Sequence, residues 1–250
     1  MARSMGRILA VVLAGASLAL VLGGCSGKRV TFHYPGETLV FPNQGPPPAI
    51  YVEYVNDLRG DRQRAGDDGA TDARFPADED WDRPVAQIYH DALMQDLTQT
   101  SALAVARSLS EADYVLTVDL LHLGCAAKRS STGWLASALL GGVAGWALGH
   151  NAGGAAAGAV LGVGAVPVPT RLRAVCEVRL RVTDLDGAPV WEDSCLGEVT
   201  DGGWESMTSR RDQYWVDRYL TVAVKRCNAC LVGQLRQTLM SRESAWGRSR

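Results

Sequence analysis

The chain has 250 residues and a formal charge of −2, with no basic stripe of the kind a nucleic-acid binder carries. Its length allows one domain of ordinary size with a real core, or one domain plus an insertion. Catalysis needs a nucleophile with a base, paired carboxylates or grouped metal ligands, and none of these patterns occurs along the chain, so a non-enzymatic role without metal or cofactor is expected.

Arg3 and Arg7 precede an uncharged apolar run from Ile8 to Leu22, which ends in Gly23-Gly24-Cys25. A charged start, a short apolar stretch and a small-residue ending are the marks of a secretory signal peptide over residues 1–24. The run is shorter than the about 20 residues a bilayer-spanning helix needs. Leu22-Gly23-Gly24-Cys25 resembles a bacterial lipobox. The resemblance implies diacylglyceryl attachment to Cys25, cleavage before it and acylation of the new amino terminus. Ser26 stands where an Asp would imply inner-membrane retention, so the resemblance implies the outer membrane. Loss of Arg3 and Arg7 takes the basic count from 25 to 23 against 27 acidic residues, a mature charge of −4.

Residues 25–48 read as an acylated tether with short apolar runs at Val30–Tyr34 and Thr38–Phe41, stiffened at Pro46-Pro47-Pro48. An α+β periplasmic domain is expected over 49–240. Ile50–Val55 is its first strand, ending in a turn at Asn56–Gly60. Residues 60–82 are rich in Asp, but their spacing fails the EF-hand pattern and arginines are interleaved, so a solvated loop is expected. Pro84 suits a helix start, and Val85, Ile88, Tyr89, Ala92 and Leu93 form one apolar face of a helix to about Thr98. Ala102–Ala106 is a short strand and Ser110–Asp113 a turn. From Tyr114 the period becomes two, with Leu116, Val118 and Leu120 on one face. The same period governs Leu172 to Val182, where apolar residues alternate with Arg171, Arg173, Arg179 and Arg181. Asp184–Gly187 is a tight turn into a return strand from Val190 to about Val199. Helical spacing marks Trp215 to Leu239, and the tail 241–250 is expected to fray.

Between Arg129 and Arg171 lie 41 residues without Asp, Glu, Lys or Arg. Gly141, Gly145 and Gly149 are spaced by four, and so are Gly154, Gly158 and Gly162. Such spacing gives a helix a flat groove for close backbone approach. Two such arms around His150–Gly153 predict a helical hairpin over residues 130–168. This stretch resembles the glycine-zipper two-transmembrane segments of outer-membrane surface-antigen lipoproteins, which implies packing in or on a membrane. The arms Trp134–Gly149 and Gly154–Val166 would be about 24 and 20 Å long, short of a bilayer span. An Ala/Gly loop, or a hairpin packed on its own domain, stays open.

Five cysteines follow Cys25, an odd number that leaves at least one thiol without an intrachain partner. Counting back from the Asp184–Gly187 turn places Cys176 near Cys195, and Cys227 and Cys230 share a helical face. The expected pairs are therefore Cys176–Cys195 and Cys227–Cys230, with Cys125 free; a bulge at Gly187 would forbid the first. His33, His90, His122 and His150 are scattered and read as surface or turn residues.

Without the insertion, a strand ending in Asp57-x-Arg59, an amphipathic helix, Glu111-Ala-Asp-Tyr-Val-Leu116, Val182-Thr-Asp-x-x-Gly-x-x-Val-Trp191 and a C-terminal helix remain. This order resembles the α+β domain of small envelope lipoproteins, among them the TolB amino-terminal domain, the penicillin-binding-protein activator lipoproteins and the curli secretion lipoprotein. The resemblance implies a small, mostly antiparallel sheet with helices on one side, and carries over no functional residue. Two roles are then expected as alternatives. One is a lipid-anchored component, facing the periplasm, that binds an envelope protein. The other is a glycine-zipper homo-oligomer forming a structural or secretion-channel element.

Overall fold

The period-two runs become two long neighbouring strands, and everything else is arranged around them. The computed structural model of the protein describes residues 29–36, 47–66, 72–100, 103–149, 156, 159, 168–205 and 212–247. In chain order these form β1 (Ala49–Asp57), α1 (Asp61–Ala65), β2 (Asp72–Phe75), a 3₁₀ turn (Asp78–Asp80) and α2 (Val85–Gln99). Then follow β3 (Ala104–Val105), β4 (Tyr114–Arg129), α3 (Ser131–Gly149), β5 (Val168–Thr183) and β6 (Pro189–Glu205). Short helical and π-helical turns at Asp212–Trp215 and Val216–Leu220 lead into α4 (Thr221–Gly247).

The fold is α+β, but the sheet is mixed rather than mostly antiparallel. Strand order is β3-β1-β4-β5-β6. β1 runs parallel to β3 and to the first half of β4, because α2 carries the chain back before β4 begins, as a parallel pairing requires. β2 pairs antiparallel with the second half of β4, on the edge that β1 leaves free. β5 joins β4 and β6 in antiparallel register along nearly its whole length.

Leu116, Val118 and Leu120 face the helices as their alternation requires. A register shift after Leu120 moves the inward set to Leu123, Cys125 and Ala127. Across β5 the inward set is Leu172, Ala174, Cys176, Val178, Leu180 and Val182. α2 covers this face with Val85, Ile88, Tyr89, Leu93 and Leu97, and α4 with Val224, Cys227, Leu231, Leu235 and Leu239. α4 presses closest at Gly197 of β6. A Cβ there would sit inside the contact radius of the Ala223 carbonyl oxygen and 2.7 Å from the Cys227 nitrogen.

Three local expectations change. Residues 60–82 are not wholly a solvated loop: they supply α1, β2 and the 3₁₀ turn, and Gln63 of α1 is buried over Gly124 on the face of the sheet opposite α2 and α4. Residues 29–36 are not free tether: Val30 bridges to Trp81, Val30 and Phe32 enter the core, and Gln213 bonds both the N–H and the C=O of Thr31 at 2.9 and 2.7 Å. The last helix continues through the expected frayed tail as far as Gly247. The first two changes follow from apolar residues (Val30, Phe32, Ala73, Phe75, Trp81) that find the core from outside a regular repeat.

Candidate functional site

Of the zipper glycines, Gly141, Gly145 and Gly149 lie in α3, while Gly154, Gly158 and Gly162, like Cys25, lie outside the described residues. The first arm is therefore a helix, and the hairpin as a whole is not described. α3 is 19 residues without a charge. It joins the body at its first turn, where Gly133 sits against Val168 and Pro169. Beyond that turn Leu135, Leu139, Leu140 and Val143 are 54–69% exposed. A contiguous row of large exposed apolar side chains on a folded chain marks a surface that something else covers. No helix among the described residues is long and apolar enough to cross a membrane.

Beside the root of α3, on the face of the sheet opposite α2 and α4, lies a groove of about 620 Å³. Strand register builds it. Arg74, Ala126, Arg173 and Thr200 form one cross-strand row, and Asp72, Lys128, Arg171 and Gly202 the next. The small residues Ala126, Thr200 and Gly202 leave the depression, and Arg74, Lys128, Arg171 and Arg173 rim it. Asp201 also lines it, but its carboxylate accepts the Tyr219 hydroxyl on the opposite side of β6. That hydrogen bond holds Asp201 below the ordinary carboxylate range and lifts the Tyr219 phenol to about 12. Arg173 shares its charge with Glu198 at 2.8 Å. The Nε atoms of Arg74 and of neighbouring Arg129 are buried without an acceptor. His122, on β4 nearby, is lowered to about 4, by burial first and then by Arg74, Arg173 and Arg59.

Further along the same face Asp119, 1% exposed in its side chain, accepts Asn56 at 2.8 Å, Arg179 at 2.8 Å and Arg181 at 3.1 Å. Burial alone would raise its pKa; the three donors overcome that and lower it. At the end of β1, Arg59 is buried between Asp57 at 2.8 Å and Asp78 at 2.6 Å. The expected Asp-x-Arg strand end is thus a clamp that ties β1 to the 3₁₀ turn. Burial opposes ionisation of Asp57 and Arg59, but their mutual hydrogen bonds win: Asp57 is lowered and Arg59 raised. Inside the core Tyr89 donates to Asn228 at 2.9 Å, Asn228 donates to Asp96 at 2.7 Å, and the Tyr34 hydroxyl also reaches Asp96. These groups hold elements together.

No family model and no curated protein matches the chain. Among solved structures, a DUF330 protein from Xanthomonas campestris is similar at 13% identity and a TM-score of 0.42, covering 86% of this chain and 98% of that one. A hypothetical protein from Chlamydia trachomatis is similar at 8% identity and a TM-score of 0.39, covering 78% and 99%. A lipoprotein from Neisseria meningitidis shows 9% identity and a TM-score of 0.27, covering 80% and 99%.

The cysteines pair differently from expectation. The disulfide joins Cys195 to Cys230, with Cα atoms 6.0 Å apart, while Cys125, Cys176 and Cys227 are free and buried. Cys176–Cys195 fails because the β5–β6 register places Cys176 opposite Gly197 and Cys195 opposite Val178. The hairpin turn is longer than counted, with a register shift next to Thr183 and Gly187 at φ 82°. Cys227–Cys230 fails because the face they share meets β6, and Cys230 reaches Cys195 while Cys227 donates to the Cys195 carbonyl at 3.4 Å. Burial pushes the Cys125 and Cys176 thiols well above their ordinary range, which makes them inert. His122, expected at a surface or turn, is a half-buried strand residue. Among the described residues no three His, Cys, Asp or Glu side chains gather as metal ligands. Sequence reading missed the groove; its signal was Lys128, Arg171 and Arg173 on the two flanks of the charge-free stretch.

Proposed function

We propose that this chain is a non-enzymatic lipoprotein of the bacterial envelope, anchored through Cys25 at the outer membrane and acting as an assembly or protein-binding component there. The observation that carries the reading is α3, an uncharged helix with an open row of leucines at one end of a well-packed domain. The amino-terminal segment supports it. Thr31 is held by Gln213, and Gln213 precedes Trp215 and Tyr219, which pack beside Cys125, Leu172 and Ala174 near the root of α3. Four residues separate Cys25 from Val30, and the five steps between them reach at most about 18 Å. An acyl group at Cys25 would thus hold this end of the domain close to a bilayer surface. A glycine-zipper oligomer is the alternative reading, and the spacing of Gly141, Gly145 and Gly149 on α3 favours it.

The test is photo-crosslinking from residue 139 of the full chain in native membranes, read by mass. A discrete adduct with a different envelope protein supports the first reading, and a ladder of multiples of this chain supports the second. Free protein with neither protein nor lipid adducts contradicts both.

A further inference from the structure

We propose that the Arg74–Lys128–Arg171–Arg173 groove is a site for the phosphate of anionic phospholipid headgroups, and that α3 beside it dips into the same leaflet. The proposal rests on the membrane-anchored reading above and adds to it a headgroup chemistry and an orientation. Three observations converge on one end of the sheet. The groove carries four cationic side chains, of which Arg173 is paired with Glu198, and of its two acidic ones Asp201 is already engaged by Tyr219, which leaves Arg74, Lys128 and Arg171 against Asp72. This occurs on a chain with a net charge of −2, so the basic character is local and not compositional. Arg74, on the groove, buries an Nε without an acceptor, a donor that an incoming phosphate oxygen could satisfy.

The second observation is spatial order. Lys128 and Arg129 end β4, the uncharged α3 begins at Ser131, and Arg171 and Arg173 follow the return at Val168. An apolar helix rooted in a basic collar matches the layering of a bilayer, with acyl chains beyond a plane of phosphates. The third is length. α3 is about 28 Å at 1.5 Å per residue, and no described helix is long and apolar enough to cross a membrane. A tilted entry into one leaflet of about 15 Å satisfies both. A protein partner would also cover the leucines, but it would not account for a basic collar around an arm that carries no charge.

The experiment uses the lipidated full chain purified in nonionic detergent. Mixed micelles containing equal phosphatidylglycerol and phosphatidylcholine are offered, and bound lipid is counted by native mass spectrometry. Phosphatidylglycerol is expected to be retained in preference. Each basic group near an anionic surface contributes a several-fold effect, so Lys128→Glu with Arg171→Glu is expected to cut retention by about ten-fold or more. Both side chains are exposed, so the variant is expected to melt as the parent does. If it does not, Lys128→Gln with Arg171→Gln replaces it, with a smaller loss expected. Arg107→Glu, on an exposed residue near β3, is the control and leaves retention unchanged. Equal retention of the two lipids, or retention untouched by the groove variants, overturns the proposal. Full displacement of phosphatidylglycerol by millimolar inorganic phosphate also overturns it, because the groove would then be a small-anion site. Failure of residue 25 to take up labelled fatty acid would sink the anchor reading while leaving the groove measurement intact.

Discussion

The β4 stretch from Leu116 to Leu123 and the α3 arm that follows Arg129 are both apolar, and the fold treats them in opposite ways. Leu116, Val118, Leu120 and Leu123 are fully buried beneath α2 and α4, whereas Leu135, Leu139, Leu140 and Val143 stand open. The difference is pattern. In β4 the apolar residues alternate with polar ones, so one face can be dry while the other is wet. In α3 no polar stripe exists, so the helix has no face to offer to water and none matched to its own domain. Apolarity with a period builds the domain; apolarity without one points away from it.

The comparison can be broken most forcefully from the packed side. Replacing Cys195 and Cys230 by Ser opens a link across 35 residues and is expected to lower stability by about 3–4 kcal/mol. Denaturant unfolding measures the loss, and non-reducing peptide mapping checks the pairing. A Cys176–Cys195 peptide would overturn the β5–β6 register described here.

Gly197→Ala comes next, at about 3 kcal/mol, because its Cβ collides with the α4 backbone rather than with a side chain that can move. A melt unchanged by this variant would show that α4 does not seat on β6 as described.

Two acid-side effects follow. The folded pKa of His122 is depressed to about 4, so between pH 6.5 and 4 the unfolded chain binds a proton that the folded one refuses, and stability falls with pH across that window. His122→Gln is expected to remove that slope, raising stability relative to the parent at pH 5 by about 1–2 kcal/mol. Asp119 is depressed in the other sense: its stabilisation is present above about pH 3.8 and is lost as pH falls through its lower folded value. Asp119→Asn is expected to cost about 1–2 kcal/mol at pH 7 and much less at pH 2. Unfolding curves at pH 7, 5 and 2 separate the two groups, and equal losses for Asp119→Asn at all three pH values would contradict its ion pairs.

The smallest effect on stability is expected on the other side of the comparison. Leu139→Ser with Leu140→Ser should change the melt by less than about 0.5 kcal/mol, since neither side chain packs on the domain, while weakening attachment to vesicles. A collapsed melt would show that α3 belongs to the core.

The two regions also differ in how far they could be read from sequence. The inward faces of β4, β5, α2 and α4 were legible because period two and period 3.6 each name a face. The parallel pairing of β1 with β4 was not, since it depends on where α2 sets the chain down, which no local pattern records. The cysteine pairing failed on a turn length miscounted at Gly187, and a small error there moves Cys195 away from Cys176. Asp-x-Arg at the end of β1 was visible as a motif, but Asp78, the second acid that completes the Arg59 clamp, is 19 residues away. The groove needed Arg74 from a segment that reads as loop.

The most direct test of the central claim is the depth of α3 at a defined bilayer. A nitroxide placed through Leu139→Cys on the lipidated full chain labels selectively because Cys125, Cys176 and Cys227 are buried. In vesicles containing phosphatidylglycerol and no other protein, collision rates with oxygen and with a water-soluble nickel chelate report the depth. Residue 139 is expected to favour oxygen strongly, as an acyl-chain position does, while a label at Arg107→Cys favours the chelate. Equal chelate access at the two positions would contradict the account.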